Sequence, residues 1–508
     1  MATPADKLAQ SLAALKSLQD EGVVAIRTSN LTRVHRERLL KNGFIREVMK
    51  GWYIPARPDG PAGESTDWYA SFWSFCGAYL SERFGEEWCL AAEHSIALHT
   101  GNWTVPRQLL VRATKGGNKP TGLLHGTSIF DVRLDLPDAG DTEIIDGLRV
   151  LRLPAALIAC GPGHFSARPV ETRAALAMLS DASDVLSRLL AGGHSSVAGR
   201  LAGAFRNIGR SHIADTILET MRAAGYAVNE TDPFADRPPV PIGQRETSPA
   251  VNRLRMSWAV MREHVLAGFP KAPGLPADKA AYLHQVEDVY ATDAYNSLSI
   301  EGYRVSAELI ERVRSGDWNP DNARDREHQD ALAARGYWQA FQKVEASVGR
   351  ILEGNSAGDV AQQDHGGWYR ELFGPSVAAG ILRPADLAGY RNGPVHIRHS
   401  MHVPPRREAV RELMPALFDL LRDETEPAVR VVLGHFFFVN VHPYLDGNGR
   451  MGRFLMNAML ASGGYPWTVI PLAQRTRYMS ALESASVEQD IRPFVDLLSE
   501  LVERRECR

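Results

Sequence analysis

The sequence predicts a multidomain protein, with an α+β N-terminal half joined to an all-α helical bundle in the C-terminal half. Three observations carry this. At 508 residues the chain is too long for one ordinary hydrophobic core. Five prolines fall within Asn229–Asn252, a stretch with little apolar material that reads as an inter-domain linker. Before it, strand-like runs alternate with helical patterns, and after it nearly every segment has the apolar period of a helix. The expected domains are residues 1–57, 58–228, a linker at 229–252, and 253–508.

Bulk properties narrow the function. A net charge of −3 excludes nucleic-acid or membrane binding by the charge of the whole chain, so any such role is local. The cysteines Cys76, Cys89, Cys160 and Cys507 form no CxxC pair, which argues against a disulfide framework or zinc site and for a reducing, cytoplasmic setting. The N-terminus lacks the unbroken apolar segment of a signal peptide, and no run approaches the length needed to span a bilayer.

The first element is a helix with Leu8, Leu12, Leu15 and Leu18 on one face. A second runs to about Asn42, with Ser29 or Asn30 as its cap and Gly43 ending it. "FIREVMKGWYIP" then reads as two short strands around a turn. Helix, helix, hairpin is the order of a winged helix. From Arg27 to Arg57 there are eight Lys or Arg against two Glu, a local balance of +6, so DNA is an expected partner through residues 27–57. A solvated charged helix face is the plainer reading. Further on, "RQLLVRAT", "SIFDVRLDL" and "EIIDGLRVLRL" read as strands, and "PVETRAALAMLSDASDVLSRLLAG" and "HIADTILETMRAAG" as helices. The run "LTRVHRERLLKNGFIREVMKGWYIP", then "AAEHSIALHTG" and "GLRVLRLPAALIA", resembles the AbiEi-type antitoxin and regulator arrangement, which implies a DNA-binding or antitoxin-like module without enzymatic residues.

In the second half, "REAVRELMPALFDLLRD" puts Val410, Leu413, Met414, Leu417, Leu420 and Leu421 on one stripe. "PAVRVVLGHFFFVNV" is apolar on almost every side, as a central bundle helix should be. It should end near Val441, because Pro443 disfavours helix at His442. After the loop "HPYLDGN", "GRMGRFLMNAMLASGG" resumes a helical pattern that Gly463 and Gly464 stop. The polar cluster thus lies in a short loop at a helix N-terminus, where free N–H groups and the helix dipole favour an anion. Gly447 and Gly449 let the backbone approach it, and Arg450 and Arg453, three apart, share a face. Asp446 suits Mg²⁺ beside bound phosphates, since that ion takes few protein carboxylates. His442 is the side chain able to accept a proton near neutral pH. Asp446-Gly447 and Asn448-Gly449 are also hairpin dipeptides, but their flanks do not alternate. A transition-metal site would need His435 as third ligand, and no Walker loop is present.

"HPYLDGNGRMGR" resembles the signature of the Fic family, H-P-[FY]-x-[DE]-G-N-G-R-x-x-R, at every fixed position. The likeness covers roughly Lys279 to Arg505. It implies an all-α Fic fold that transfers AMP from ATP to a Ser, Thr or Tyr hydroxyl of a target protein. His442 resembles the general base and Asp446 the Mg²⁺ ligand. Gly447, Asn448 and Gly449 resemble the anion hole, Arg450 a phosphate contact and Arg453 the γ-phosphate holder, with Met451 and Gly452 completing the string. "PVHIRHSMHVPPRREAV" resembles the target-aligning flap, which implies that His399, Ser400, Met401 and His402 lie near the nucleotide. "RTRYMSALESASVEQDIRPF" resembles the segment closing over adenine, with Tyr478 as stacking residue and Ser486 as a neighbour. Met479 and Ser486 depart from the residues common there.

"NSLSIEG" follows a helical stretch from about residue 279, placing Glu301 in the last turn with Gly302 as C-cap. A glutamate there opposes the helix dipole unless a cation partners it. Ser297-Leu-Ser-Ile-Glu301-Gly302 resembles the family's inhibitory motif, N-terminal to the core, in which the glutamate pairs with the second motif arginine, here Arg453. The reading is therefore an autoinhibited protein adenylyltransferase with ATP and Mg²⁺, and homodimerisation as a further expectation. The rivals are AMP removal, another donor such as phosphocholine or a different nucleotide, and a DNA-binding regulator with a sensory Fic half.

Overall fold

The computed structural model describes residues 3–58, 64–234, 248–317 and 329–506. The centre of the expected linker, 235–247, and Cys507 lie outside them. The chain divides into two units, one of residues 1–253 with 396–403, the other of residues 254–395 with 404–508.

The first unit opens with the helix Pro4–Asp20, started by a reciprocal Thr3–Asp6 capping box. The second helix is Arg33–Lys41, and its cap is Thr32, not Ser29 or Asn30: the Thr32 hydroxyl accepts the His35 N–H at 3.3 Å. Between these helices a short strand, Ile26–Arg27, joins the hairpin Ile45–Met49/Trp52–Pro55, making three antiparallel strands rather than the two expected. Leu15, Ile26, Leu31, Leu39, Ile45 and Tyr53 fill the core between sheet and helices.

Beyond it lies a four-stranded sheet in which Gln108–Ala113 and Ser128–Arg133 pair in parallel. The stretch read as one strand, "EIIDGLRVLRL", is a hairpin, Thr142–Ile145 with Leu148–Leu151. Asp146 and Gly147 take positive φ (50° and 77°), as a tight Asp-Gly turn requires. Helices between Leu153 and Ala223 pack around a second apolar core. The first residues of the expected linker belong to this packing: the Thr231 N–H bonds the Gly199 carbonyl at 3.1 Å and Phe234 is buried. Its last residues open the helix Pro249–Gly268.

The second unit is helical, with no strand among its described residues. Its central helix, Pro427–Val441, is buried around nearly its whole circumference, from Val429 and Val432 to Phe436 and Phe438. Each such side chain contributes about 1.5–3 kcal/mol. The helices Arg407–Asp423, Ala357–Ala378, Gln329–Leu352 and Asn448–Gly463 pack nearby, the last following Pro427–Val441 through the polar loop. No helix among the described residues is long and apolar enough to cross a membrane.

Candidate active site

Pro427–Val441 ends where Pro443 requires it to, and His442 takes a left-handed conformation (φ 54°, ψ 59°). That conformation costs a non-glycine residue about 1–2 kcal/mol, so the surroundings must impose it. The ring is fixed by its Nδ1, which lies 3.2 Å from the Val439 carbonyl. The carbonyl can only accept, so Nδ1 carries the proton and Nε2 keeps its lone pair. Burial pushes the His442 imidazole down to about 4, helped by the Arg391 charge and opposed by the Val439 bond and the carboxylates of Glu301 and Asp446. It is therefore a neutral base at physiological pH.

The loop from His442 to the next helix is closed by Asn448. Its side-chain oxygen accepts the Tyr444 N–H and its side-chain nitrogen donates to the Tyr444 carbonyl, both at 2.9 Å. Tyr444 itself is buried and stacks on Tyr369, ring centres 3.8 Å apart. Gly447 has φ 79°, and a Cβ there would stand 2.6 Å from Phe373. Met451 makes the first backbone bond of the helix, to Gly447 at 2.9 Å, so the amides of Asn448, Gly449 and Arg450 precede the helical ladder. That is an anion seat.

Asp446 stands at its rim with its side chain 69 % exposed, 3.5 Å from Arg450. No cluster of three His, Cys, Asp or Glu that could hold an ion exists among the described residues. One open carboxylate beside an anion seat fits Mg²⁺, which draws most of its ligands from phosphate and water. Arg450 is buried between Tyr303 and Phe373, its guanidinium 5.1 and 5.0 Å from their ring centres, and its Nε has no hydrogen-bond partner among the described residues. Met451 and Gly452 are buried in the helix's inner face.

Arg453 is occupied. Its Nη2 donates to Glu301 Oε1 at 2.7 Å and to the Ser297 carbonyl at 3.0 Å, and its Nε to the Ser297 hydroxyl at 2.8 Å. Burial opposes ionisation of Glu301, but the charges of Arg453 and Arg450 outweigh it and hold the carboxyl below its ordinary range. The helix bearing these groups is Lys279–Ile300; Glu301 is its C-cap, one residue beyond the expected last turn, and Gly302 follows at φ 95°. A Cβ on Gly449 would collide with the Glu301 carboxylate, so that carboxylate lies against the anion seat.

One expectation changes. Tyr478 offers no face for stacking: it is 1 % exposed and bonds His435 Nε2 through its hydroxyl at 2.8 Å. An aromatic side chain in a helix that faces the core is buried whatever its sequence neighbours suggest. Ser486 is held by Asn440 at 3.2 Å. His399, Ser400, Met401 and His402 lie in the stretch 396–403, which belongs to the first unit: the Met401 carbonyl accepts the Val105 N–H at 2.9 Å, His399 sits 3.8 Å from Glu64, and Ser400 accepts the His402 N–H.

Sequence reasoning missed Tyr303, although it directly follows the inhibitory motif. It also missed Arg475, whose Nε donates to the Ile300 carbonyl at 2.8 Å, and Arg391, whose Nε donates to the His442 carbonyl at 2.8 Å. Nothing in their local sequence signals those contacts.

The helical unit thus sets the His442 imidazole beside the glycine-lined start of Asn448–Gly463. Residues 367–460 match the Fic/DOC family. The chain is 30% identical over 227 residues to the protein adenylyltransferase Fic of Drosophila willistoni, covering 43% of this chain and 41% of that one. For the Drosophila erecta protein of the same name the values are 29% over 234 residues, 44% and 43%. The chain thus spans about two-fifths of the length of these curated relatives. Among solved structures, Fic-1 of C. elegans aligns with 18% identity and a TM-score of 0.38 over 64% of this chain and 90% of that one. A Fic domain containing signaling protein from Bacteroides thetaiotaomicron aligns with 18% identity and a TM-score of 0.35 over 49% and 93%.

Proposed function

We propose that the chain is a protein adenylyltransferase of the Fic type, restrained by its own Glu301. The observation that carries the activity is the free Nε2 of His442 beside the glycine-lined start of Asn448–Gly463. ATP seats its phosphates on the amides of Asn448, Gly449 and Arg450. Asp446 would hold Mg²⁺, which when bound neutralises phosphate charge. A target hydroxyl oxygen attacks the α-phosphorus in line. The new P–O bond forms as the bond to the bridging oxygen of the β-phosphate breaks. The hydroxyl proton goes to His442 Nε2, and pyrophosphate leaves with the electron pair. Catalysis here is positioning and charge stabilisation.

Restraint follows from the Arg453–Glu301 pair. Three hydrogen bonds to Glu301 and Ser297 hold Arg453 in place, its charge is met by Glu301 rather than by a γ-phosphate, and the carboxylate repels one. The test is self-labelling from α-labelled ATP with Mg²⁺. Weak labelling is expected of the unmodified chain, at least about tenfold more of Glu301→Gly, and none of Glu301→Gly with His442→Ala, since a lost base costs about 10²–10⁴ in rate. Equal labelling by the first two removes the brake, and labelling by the third removes His442 as base. Residues 1–57 we read as a winged-helix-like module for DNA, supported by two helices, a hairpin and the +6 balance of residues 27–57.

A further inference from the structure

We infer that Arg391 is a positioning residue for the catalytic base: its guanidinium grips the main chain at His442 and fixes where the free imidazole nitrogen points. This rests on the adenylyltransferase reading of the same site. Arg391 is 2 % exposed and lies in an irregular segment of the helical unit. Its Nε donates to the His442 carbonyl at 2.8 Å, its Nη2 to the Val441 carbonyl at 3.5 Å and to the Pro405 carbonyl, and its Nη1 to the Gly393 carbonyl at 3.1 Å. Its own backbone N–H donates to the Pro443 carbonyl at 2.9 Å. Three consecutive carbonyls, from Val441 to Pro443, are thus held by one residue.

These partners are all neutral, and burial draws the Arg391 guanidinium down to about 10. A buried cation without a carboxylate is expensive, and it persists here for two reasons. The carbonyls of Val441 and His442 are the negative end of the Pro427–Val441 helix dipole, which favours a cation. A planar fork can also bond several carbonyls in one fixed geometry, which a lysine cannot. The left-handed backbone of His442 turns its carbonyl out of the helix, and Arg391 receives it. With Nδ1 on Val439, the ring is then fixed at both ends, backbone and nitrogen. Displacing a catalytic group by 1 Å costs about 10²-fold in rate, so the grip matters to turnover more than to nucleotide binding, whose amides begin at Asn448.

The test uses the whole chain carrying Glu301→Gly, with Arg391→Met or Arg391→Lys added. Self-labelling from α-labelled ATP is followed against ATP concentration and pH. Arg391→Met is expected to lower the rate at saturating ATP by about 30–100-fold. The half-saturating ATP concentration should move by less than about threefold, since its ligands are untouched. Removing the Arg391 charge should also shift the acid limb of the rate upward, toward the ordinary histidine range. Arg391→Lys should recover some of the rate and keep the acid limb low. A full rate in Arg391→Met overturns the assignment, as does a parallel loss of rate and ATP affinity in both variants, which marks a merely structural residue. If Arg391→Met fails to fold, a full rate in Arg391→Lys overturns it and a reduced rate at unchanged ATP affinity supports it. A Glu301→Gly parent that labels nothing sinks the adenylyltransferase reading itself, whereas a labelling parent with equally active Arg391 variants sinks only this inference.

Discussion

His442 occupies a backbone conformation that few non-glycine residues adopt, and four contacts hold it there: Val439 on the ring, Phe438 on its N–H, Arg391 on its carbonyl and Pro443 behind it. Its imidazole is held at about 4. A base must be neutral to act, so in short assays the rate of Glu301→Gly is expected to stay flat on acidification well below pH 6.5 and to fall only near pH 4–5. Half-loss at pH 6.5 would mean an unperturbed histidine. Asn448 has a comparable role in the loop that follows. Asn448→Ala removes both bonds to Tyr444 and is expected to lower stability by about 1–3 kcal/mol while abolishing labelling, readable by denaturant unfolding and the labelling assay. These residues were legible in the sequence because their chemistry is local: a proline ends a helix, glycines open a loop, and the next helix starts at once. Arg391 and Tyr478 were not legible, because burial and the ownership of a distant carbonyl depend on tertiary packing.

The proposed brake resides at one helix end. Lys279–Ile300 ends with an acidic C-cap, which its own dipole disfavours, and two outside groups compensate: Arg453 on the Ser297 carbonyl and Glu301, and Arg475 on the Ile300 carbonyl. Arg475 touches none of the phosphate-seat residues through its bond to Ile300. Arg475→Ala is therefore expected to loosen the helix end and raise self-labelling of the otherwise unmodified chain about three- to tenfold, within what one charged hydrogen bond contributes. Unchanged labelling would mean that Arg453 alone holds the brake. The helix and its glycine stop were readable from residue spacing. The Arg453 pairing, 152 residues away, came from family resemblance, because no periodic pattern links such distant positions.

At the scale of the whole molecule, apolar period gave the helical unit correctly because its segments are long and strongly patterned. The N-terminal unit yielded less. The Asp-Gly turn inside "EIIDGLRVLRL" was missed although its dipeptide is a hairpin signal, and a two-residue strand such as Ile26–Arg27 carries no pattern at all. Acid stability is a whole-molecule prediction. Burial holds His94, His435 and His442 at about 4 against an ordinary 6.5. The unfolded chain binds more protons in between, so stability is fully present above about pH 6.5 and falls as pH drops toward 4. Denaturant midpoints at pH 7.5 and 5 check this; equal midpoints would contradict it. The central claim is that Glu301 holds Arg453 away from the γ-phosphate. Affinities for ATP and ADP with Mg²⁺, measured on the unmodified chain and on Glu301→Gly, test it most directly. The two nucleotides should bind the unmodified chain about equally, and Glu301→Gly should prefer ATP by about tenfold or more, the worth of one charged hydrogen bond. An ATP-to-ADP ratio that is the same in both proteins would contradict the account.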